Sequence, residues 1–261
     1  VARGHYAERV PSDEPGELGE LATTFNDMAG SLETTERRRL QLVGDVAHEL
    51  RTPLTTLDGY LEGLEDGVIE PGPDTWRLLR TEAGRLTRLV NDLSELWRAE
   101  ARQLPLRLVD VDVAEVVAEV ADGFAPAASG RGISIRVATA PAAPMVAWAD
   151  RDRFSQILAN YLSNAIRHAP DGSVIEVWTR QVDDRIRVGV TDHGTGLAPD
   201  QLEAVFERFY RVDPARSRTE GGSGIGLAIV RALADAMAGQ VWAESAGPGS
   251  GATFLVELPA A

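Results

Sequence analysis

Between Val43 and Leu57 the chain reads VGDVAHELRTPLTTL, which sets His48, Glu49, Thr52 and Pro53 within six residues. A histidine, a carboxylate and a hydroxyl this close together on a helical repeat read as a phosphoryl-acceptor site. Three later stretches supply groups that suit a nucleotide. QILANYLSNAIRHA places Asn160 and Asn164 four residues apart on one helix face, with Arg167 a turn further on. Two carboxamides can ligate Mg²⁺ or orient its waters, and Arg offers a fork to phosphate. DHGTG puts Asp192 at a strand end, where it can accept from an exocyclic amine, while Gly194 and Gly196 let backbone approach a base. GGSGIGLAI runs Gly222, Gly224 and Gly226 into a helix whose first N–H groups suit phosphate oxygens. The spacing is not that of a dinucleotide-binding GxGxxG.

The elements that must hold these groups follow from periodicity. Leu40, Val43, Ala47, Leu50, Leu54, Leu57, Leu61 and Leu64 alternate by three and four, which marks the a and d positions of a bundle helix over about 36–67. His48, Glu49 and Thr52 then fall outside the seam and face whatever docks on the helix. Pro53 has no N–H for the Glu49 carbonyl and disfavours α geometry at Thr52, so a kink is expected one turn after the histidine. Gly67 to Pro73 is a turn. A second helix with Leu79, Ala83, Leu86, Val90, Leu93 and Trp97 follows, capped at Asp74 or Thr75. A hairpin with two apolar seams needs a partner, and a homodimeric four-helix bundle supplies one.

Ahead of the hairpin, an irregular start with Gly4, Pro11, Pro15 and Gly16 leads into a helix carrying Leu18, Leu21, Phe25, Met28 and Leu32. Beyond Gln103 strands alternate with helices: strands over Leu104–Val111, Ile133–Ala138, Val174–Arg180, Arg185–Asp192, Gln240–Ser245 and Ala252–Leu258, and helices over Val113–Ala128, Asp152–His168 and Ser223–Met237. Antiparallel turns among them favour a two-layer α/β sandwich. The expected fold class is α+β, with the helical hairpin followed by that sandwich.

Composition narrows the function classes. The 261 residues are 44% hydrophobic with a net charge of -14, a balance that fits a packed soluble core and argues against a nucleic-acid partner. There is no cysteine, hence no disulfide or thiolate site. All 26 basic residues are arginine, which excludes the lysine-dependent P-loop and the strand lysine of eukaryotic-type protein kinases. No apolar run reaches the length of a membrane span, so no membrane contact is expected within these residues.

HELRTPL resembles the H box of the sensor histidine kinases of two-component systems, in which the histidine is phosphorylated by ATP. The asparagine helix resembles their N box, DHGTG their adenine-binding turn with His193 where Asn is common, and FERFYR (Phe206 to Arg211) the box that anchors a mobile lid. GELGELATTFNDMAGSLE resembles the second half of a HAMP linker. The resemblance implies residues 1–35 as HAMP remnant, 36–103 as dimerisation and histidine-phosphotransfer domain, and 104–261 as ATP-binding domain. It implies His48 as phosphoacceptor, Glu49 as base and Thr52 as a phosphatase residue. The expected nucleotide contacts are Asn160, Asn164, Arg167, His168, Asp192, Gly194, Gly196, Phe209, Arg211, Gly222, Gly224, Gly226 and Leu227, with Asn164 on Mg²⁺. A lid over Val212–Gly221 carries Arg216, Arg218 and Glu220. ATP and Mg²⁺ are the implied cofactors, and a second copy and a response-regulator receiver domain the implied partners. The chain would be the cytoplasmic portion of a membrane sensor. A gyrase- or MutL-type ATPase and a non-catalytic dimeric scaffold are the alternatives.

Overall fold

The structure, a computed structural model, describes residues 10, 16–100, 104–138, 145–212 and 223–261. Arg216, Arg218 and Glu220 of the expected lid, with Gly222, lie outside the described residues, as do Gly4, Pro11, Pro15 and the side chains of Leu18 and Leu40. The chain divides into two compact units, Val1–Ala83 and Gly84–Ala261.

In the first unit, α1 (Glu17–Glu65) is one helix of 49 residues that joins the HAMP-like piece to the histidine stretch. No Gly or Pro interrupts Glu33 to Arg39, so nothing ends the helix there. Near its start the Asn26 carboxamide grips the Val10 backbone, accepting from its N–H at 2.9 Å and donating to its carbonyl at 2.8 Å. The helix ends where Gly67 takes φ 70, and the Ile69 N–H donates back to the Gly63 carbonyl at 2.8 Å. That fold-back lays the Ile69 side chain over Gly63, where any Cβ would collide with it. Pro73 then opens α2 (Pro73–Glu100), with Asp74 in the first turn where the helix dipole favours an acid.

Helix α1 passes through Pro53 without a break, and Thr52 stays helical. The expected departure from α geometry at Thr52 does not occur. The hydroxyls of Thr52 and Thr56 donate to the carbonyls one turn back, at 3.3 and 3.2 Å, and a long helix on both sides outweighs a local preference. Its apolar seam is only partly covered. Leu50, Leu57 and Leu64 are half-buried, whereas Val43, Leu54 and Leu61 are exposed, as are Leu21, Phe25, Met28 and Leu32 upstream.

The second unit contains β1 (Val109–Asp112), α3 (Val113–Ser129), β2 (Ser134–Ala138), β3 (Val146–Ala149), α4 (Arg151–His168), β4 (Val174–Val182), β5 (Arg185–Asp192), the single turn α5 (Gln201–Ala204), α6 (Gly226–Ala236), β6 (Gln240–Glu244) and β7 (Ala252–Pro259). Five strands form one sheet in the order β2-β4-β5-β7-β6, with β2 and β4 parallel and the other pairs antiparallel. Helices α3, α4 and α6 carry the apolar stripes that bury its inner face. Phe154, Ile157, Leu158, Tyr161 and Leu162 of α4 are buried, as are Ile175, Val188, Val190, Phe254 and Val256 of the sheet, with the Tyr161 and Phe254 rings 5.7 Å apart. The Tyr161 hydroxyl, fully buried, donates to the Leu255 carbonyl at 2.8 Å, so its polar atom is paired.

Beyond shifts of a residue or two at element ends, three departures from expectation have a clear physical reason. The strand expected over Leu104–Val111 is confined to β1, because Pro105 offers no N–H and the Arg107 N–H donates to Asp150 at 2.7 Å instead of to a strand. Strand β3, not expected from an Ala-rich run, pairs antiparallel with β1 as a ribbon separate from the main sheet. The last helix begins at Gly226 rather than Ser223, since Gly224 at φ 69 cannot belong to a right-handed helix.

Candidate active site

Strand β5 alternates, and its inward residues Ile186, Val188 and Val190 pack under the helices. Asp192 is the next inward residue, so its carboxyl enters the layer between helices and sheet at the strand's open end. It is 4% exposed. Burial pushes its pKa above the ordinary carboxylate value, against the opposing pull of hydrogen bonds from the Gly194 and Ala252 N–H groups and the nearby charge of His193. The Gly194 N–H donates to Oδ1 at 2.8 Å, which holds the carboxyl in place and curls the chain into the next turn.

That turn admits no side chain at Gly194, where a Cβ would drive into the His168 carbonyl, the last residue of α4. Gly196 at φ 65 packs as closely on the Gly247 carbonyl. His193 faces solvent and its Nδ1 lies 3.1 Å from the Val174 carbonyl. A carbonyl only accepts, so Nδ1 carries the proton. The ring thus ties the turn to the start of β4.

Asp150 caps the start of α4, accepting from the Asp152 and Arg153 N–H groups at 3.1 Å each. The same helix separates the two candidate asparagines. Asn160 donates to the Gln156 carbonyl at 3.1 Å, and a Cβ on Gly226 would come within 2.8 Å of its Oδ1. Its carboxamide therefore fills the junction between α4 and the first residue of α6. Asn164, Arg167 and His168 are half-buried further along α4. Phe209, at φ 58, donates its N–H to the Gly224 carbonyl at 2.9 Å, and a Cβ on Gly224 would meet the Phe209 backbone at 2.9 Å. The two ends of the 210–223 stretch are thereby fastened together. Arg211 and Leu227 are half-buried. Of the two phenylalanines in FERFYR, Phe206 is the core residue, edge-on to Phe254 at 6.3 Å.

The structure thus brings together Asp192, Gly194 and His168 at one end of α4, and Asn160, Gly224, Gly226 and Phe209 at its other contacts. His48, Glu49 and Thr52 belong to the first unit. His48 and Thr52 are exposed there and Glu49 is half-buried. Residues of α2 that carry no recognisable pattern also reach this part of the second unit. Ser223 donates to Asp92 at 3.2 Å and accepts from the Ile225 N–H, while Glu95 accepts from Arg153 at 2.6 Å and from Gln156 at 2.5 Å. Burial raises the Asp92 pKa, with the Ser223 hydrogen bond opposing it, Glu95 adding to it and Arg88 lowering it.

Three family models match successive parts of the chain. The HAMP domain matches residues 1–34, the His Kinase A (phospho-acceptor) domain residues 38–102, and the histidine kinase-, DNA gyrase B- and HSP90-like ATPase residues 149–261. The chain is 35% identical over 259 residues to the signal transduction histidine-protein kinase BaeS of Escherichia coli (strain K12), covering 99% of this chain and 55% of BaeS. Among solved structures it resembles the histidine kinase AdeS of Acinetobacter baumannii, with 28% identity, a TM-score of 0.68, and coverage of 81% of this chain and 97% of that one. It also resembles full-length ShkA in complex with AMPPNP, with 31% identity, a TM-score of 0.62, and coverage of 85% and 46%. The chain spans about half the length of the curated relatives it matches. Among the described residues no helix is long and apolar enough to cross a membrane. A phosphoacceptor domain and an ATPase domain in this order, behind a HAMP segment, make the chain a member of the bacterial two-component sensor histidine kinases.

Proposed function

We propose that the chain autophosphorylates His48 from ATP and passes the phosphoryl group to an aspartate of a response-regulator receiver domain. The observation that carries this reading is the arrangement around α4. A buried carboxylate, Asp192, stands behind glycines that can bear no side chain, and a carboxamide fills the junction with α6. In this reading Asp192 accepts from the adenine amino group, and Gly194 and Gly196 let the turn that holds it pack directly on the His168 and Gly247 carbonyls. The backbone N–H groups at the start of α6 would take phosphate, with Gly224 and Gly226 packed on Phe209 and Asn160, Leu227 in the first turn and Arg211 near by in the chain. Asn160 is committed to the α4–α6 junction, which leaves Asn164 as the group to hold Mg²⁺. Bound there, Mg²⁺ would neutralise phosphate charge. Arg167 and His168 present donors on the same helix.

At the acceptor, one imidazole nitrogen of His48 attacks the γ-phosphorus, the bond to the ADP oxygen breaks, and ADP leaves. Glu49 takes the proton from the other ring nitrogen, so the product is a neutral phosphoimidazole ring and ADP carries the leaving electrons. Thr52, one turn along the exposed face, orients a water for hydrolysis of the regulator's aspartyl phosphate. The uncovered seam at Val43, Leu54 and Leu61 supports a homodimer closed by a second copy. The HAMP segment supports attachment behind a membrane-anchored sensor, with these residues on the cytoplasmic side.

Calorimetry with Mg-ATP separates the roles. His48→Ala should bind nucleotide as the parent does and fail to become phosphorylated, whereas Asn164→Ala should lose Mg-dependent binding. The opposite pattern would overturn the assignment.

A further inference from the structure

Helix α4 ends abruptly: Ala169 turns to extended backbone (ψ 144) and Pro170 follows. The last carbonyls of a helix have no partner within it. Here they meet Arg131, which comes from the turn between α3 and β2. One guanidinium nitrogen donates to the carbonyls of Ile166 and, at 3.3 Å, Arg167. The other donates to the Ala169 carbonyl at 3.1 Å, and Nε donates to Asp171 at 2.8 Å. A planar cation with several fixed donors suits a helix C-terminus, where negative partial charge gathers. The Arg131 backbone is stitched to the same place, since its carbonyl accepts from the Gly172 N–H at 3.1 Å and the Ser134 N–H donates to Ser173 at 3.0 Å.

The turn of α4 that Arg131 grips is the turn on which Gly194 packs, next to the proposed adenine contact at Asp192. The His168 carbonyl lies between the gripped carbonyls in sequence and is the atom against which Gly194 packs with no room for a Cβ. Gly194 in turn holds Asp192 through its N–H. We infer that Arg131 is a positioning residue for nucleotide binding: by fixing the end of α4 it sets the Asp192–Gly194 turn, from behind the site and without touching the nucleotide. This rests on the proposed adenine contact at Asp192.

The parts that move in its absence lie at the adenine end, so affinity should change and the transfer step should not. Mg-ATP is titrated into the full chain by calorimetry, and autophosphorylation is followed across ATP concentrations. Arg131→Ala should raise both Kd and the half-saturating ATP concentration about tenfold, with the rate at saturation within about twofold of the parent. Arg131→Lys keeps the charge but not the fork and should fall between, at about threefold. An Arg131→Ala chain whose Kd stays within about twofold would overturn the inference, as would one that loses saturated rate as much as affinity. Where Arg131→Ala does not fold, Arg131→Lys decides: an unchanged Kd in that variant overturns the inference. Failure of the parent chain to bind Mg-ATP would instead overturn the nucleotide reading on which it stands.

Discussion

Helix α1 and strand β5 carry the two ends of the proposed chemistry, and they are built by opposite rules. On α1 the proposed acceptor side chain, His48, is exposed, the Thr52 hydroxyl donates to its backbone carbonyl, and half of the apolar seam is uncovered. On β5 the carboxyl proposed to meet adenine, Asp192, is the last member of a buried alternation, locked by two backbone N–H groups and a glycine turn. The helix presents a group for others to come to, whereas the strand end is a preformed socket. Changes in the socket should therefore be felt in folding and binding together, and changes on the helix in encounter and chemistry alone.

The sharpest way to break this contrast is Gly194→Ala. The new methyl group meets the His168 carbonyl, which is backbone and has nowhere to go, so a loss of about 1–3 kcal/mol in stability is expected together with loss of nucleotide binding. Chemical denaturation and calorimetry on the same sample check both. A stable variant that binds Mg-ATP normally would show that the socket is not rigid. The complementary change is Leu54→Glu with Leu61→Glu, two exposed seam positions on α1. Sedimentation should show the dimer falling to monomer while Mg-ATP affinity stays unchanged, and a persisting dimer would place the interface elsewhere.

The contrast also explains what was legible in the sequence. Both helices of the hairpin, the strand pair β4 and β5, and the motif around His48 follow from periodicity and residue type, because local spacing encodes them. Strand β3 was not legible: four residues, two of them alanine, gain strand geometry only from pairing with β1. The shortening of β1 depends on Asp150, more than forty residues away, which takes the Arg107 N–H. Within the site, the types at 160, 164, 192 and 194 were readable, but not the separation of the two asparagines. That comes from the packing of Gly226 against Asn160, which links residues 66 apart. The contacts of Asp92, Glu95 and Arg131 were hidden for the same reason, since a surface arginine or acid has no signature until its partner is placed.

A smaller effect sharpens the helix side. Thr52→Val keeps the branched shape and removes the hydroxyl. It should leave His48 phosphorylation largely intact and slow loss of phosphate from the regulator about tenfold, or about 1.4 kcal/mol of barrier. Equal decay rates with both proteins would leave the hydroxyl its helical hydrogen bond to His48 and no more. The smallest effect concerns Asp192 and pH. A carboxyl whose pKa is raised by folding keeps its proton longer in the native state than in the unfolded chain. Its contribution is then to lower stability as pH rises from the ordinary carboxylate value through the raised one. Asp192→Asn removes that slope. The variant should be at least as resistant to denaturant as the parent above this window while binding Mg-ATP far more weakly. Lower stability there would mean that the carboxylate supports the fold more than its burial costs.

The central claim, that the socket serves the exposed histidine, is tested most directly by locating the phosphate. After incubation of the intact chain with γ-labelled Mg-ATP, the account predicts label that is stable in base, lost in acid, recovered on the peptide containing His48, and absent from His48→Gln at unchanged nucleotide affinity. Acid-stable label, label on another residue, or undiminished labelling of His48→Gln would contradict it.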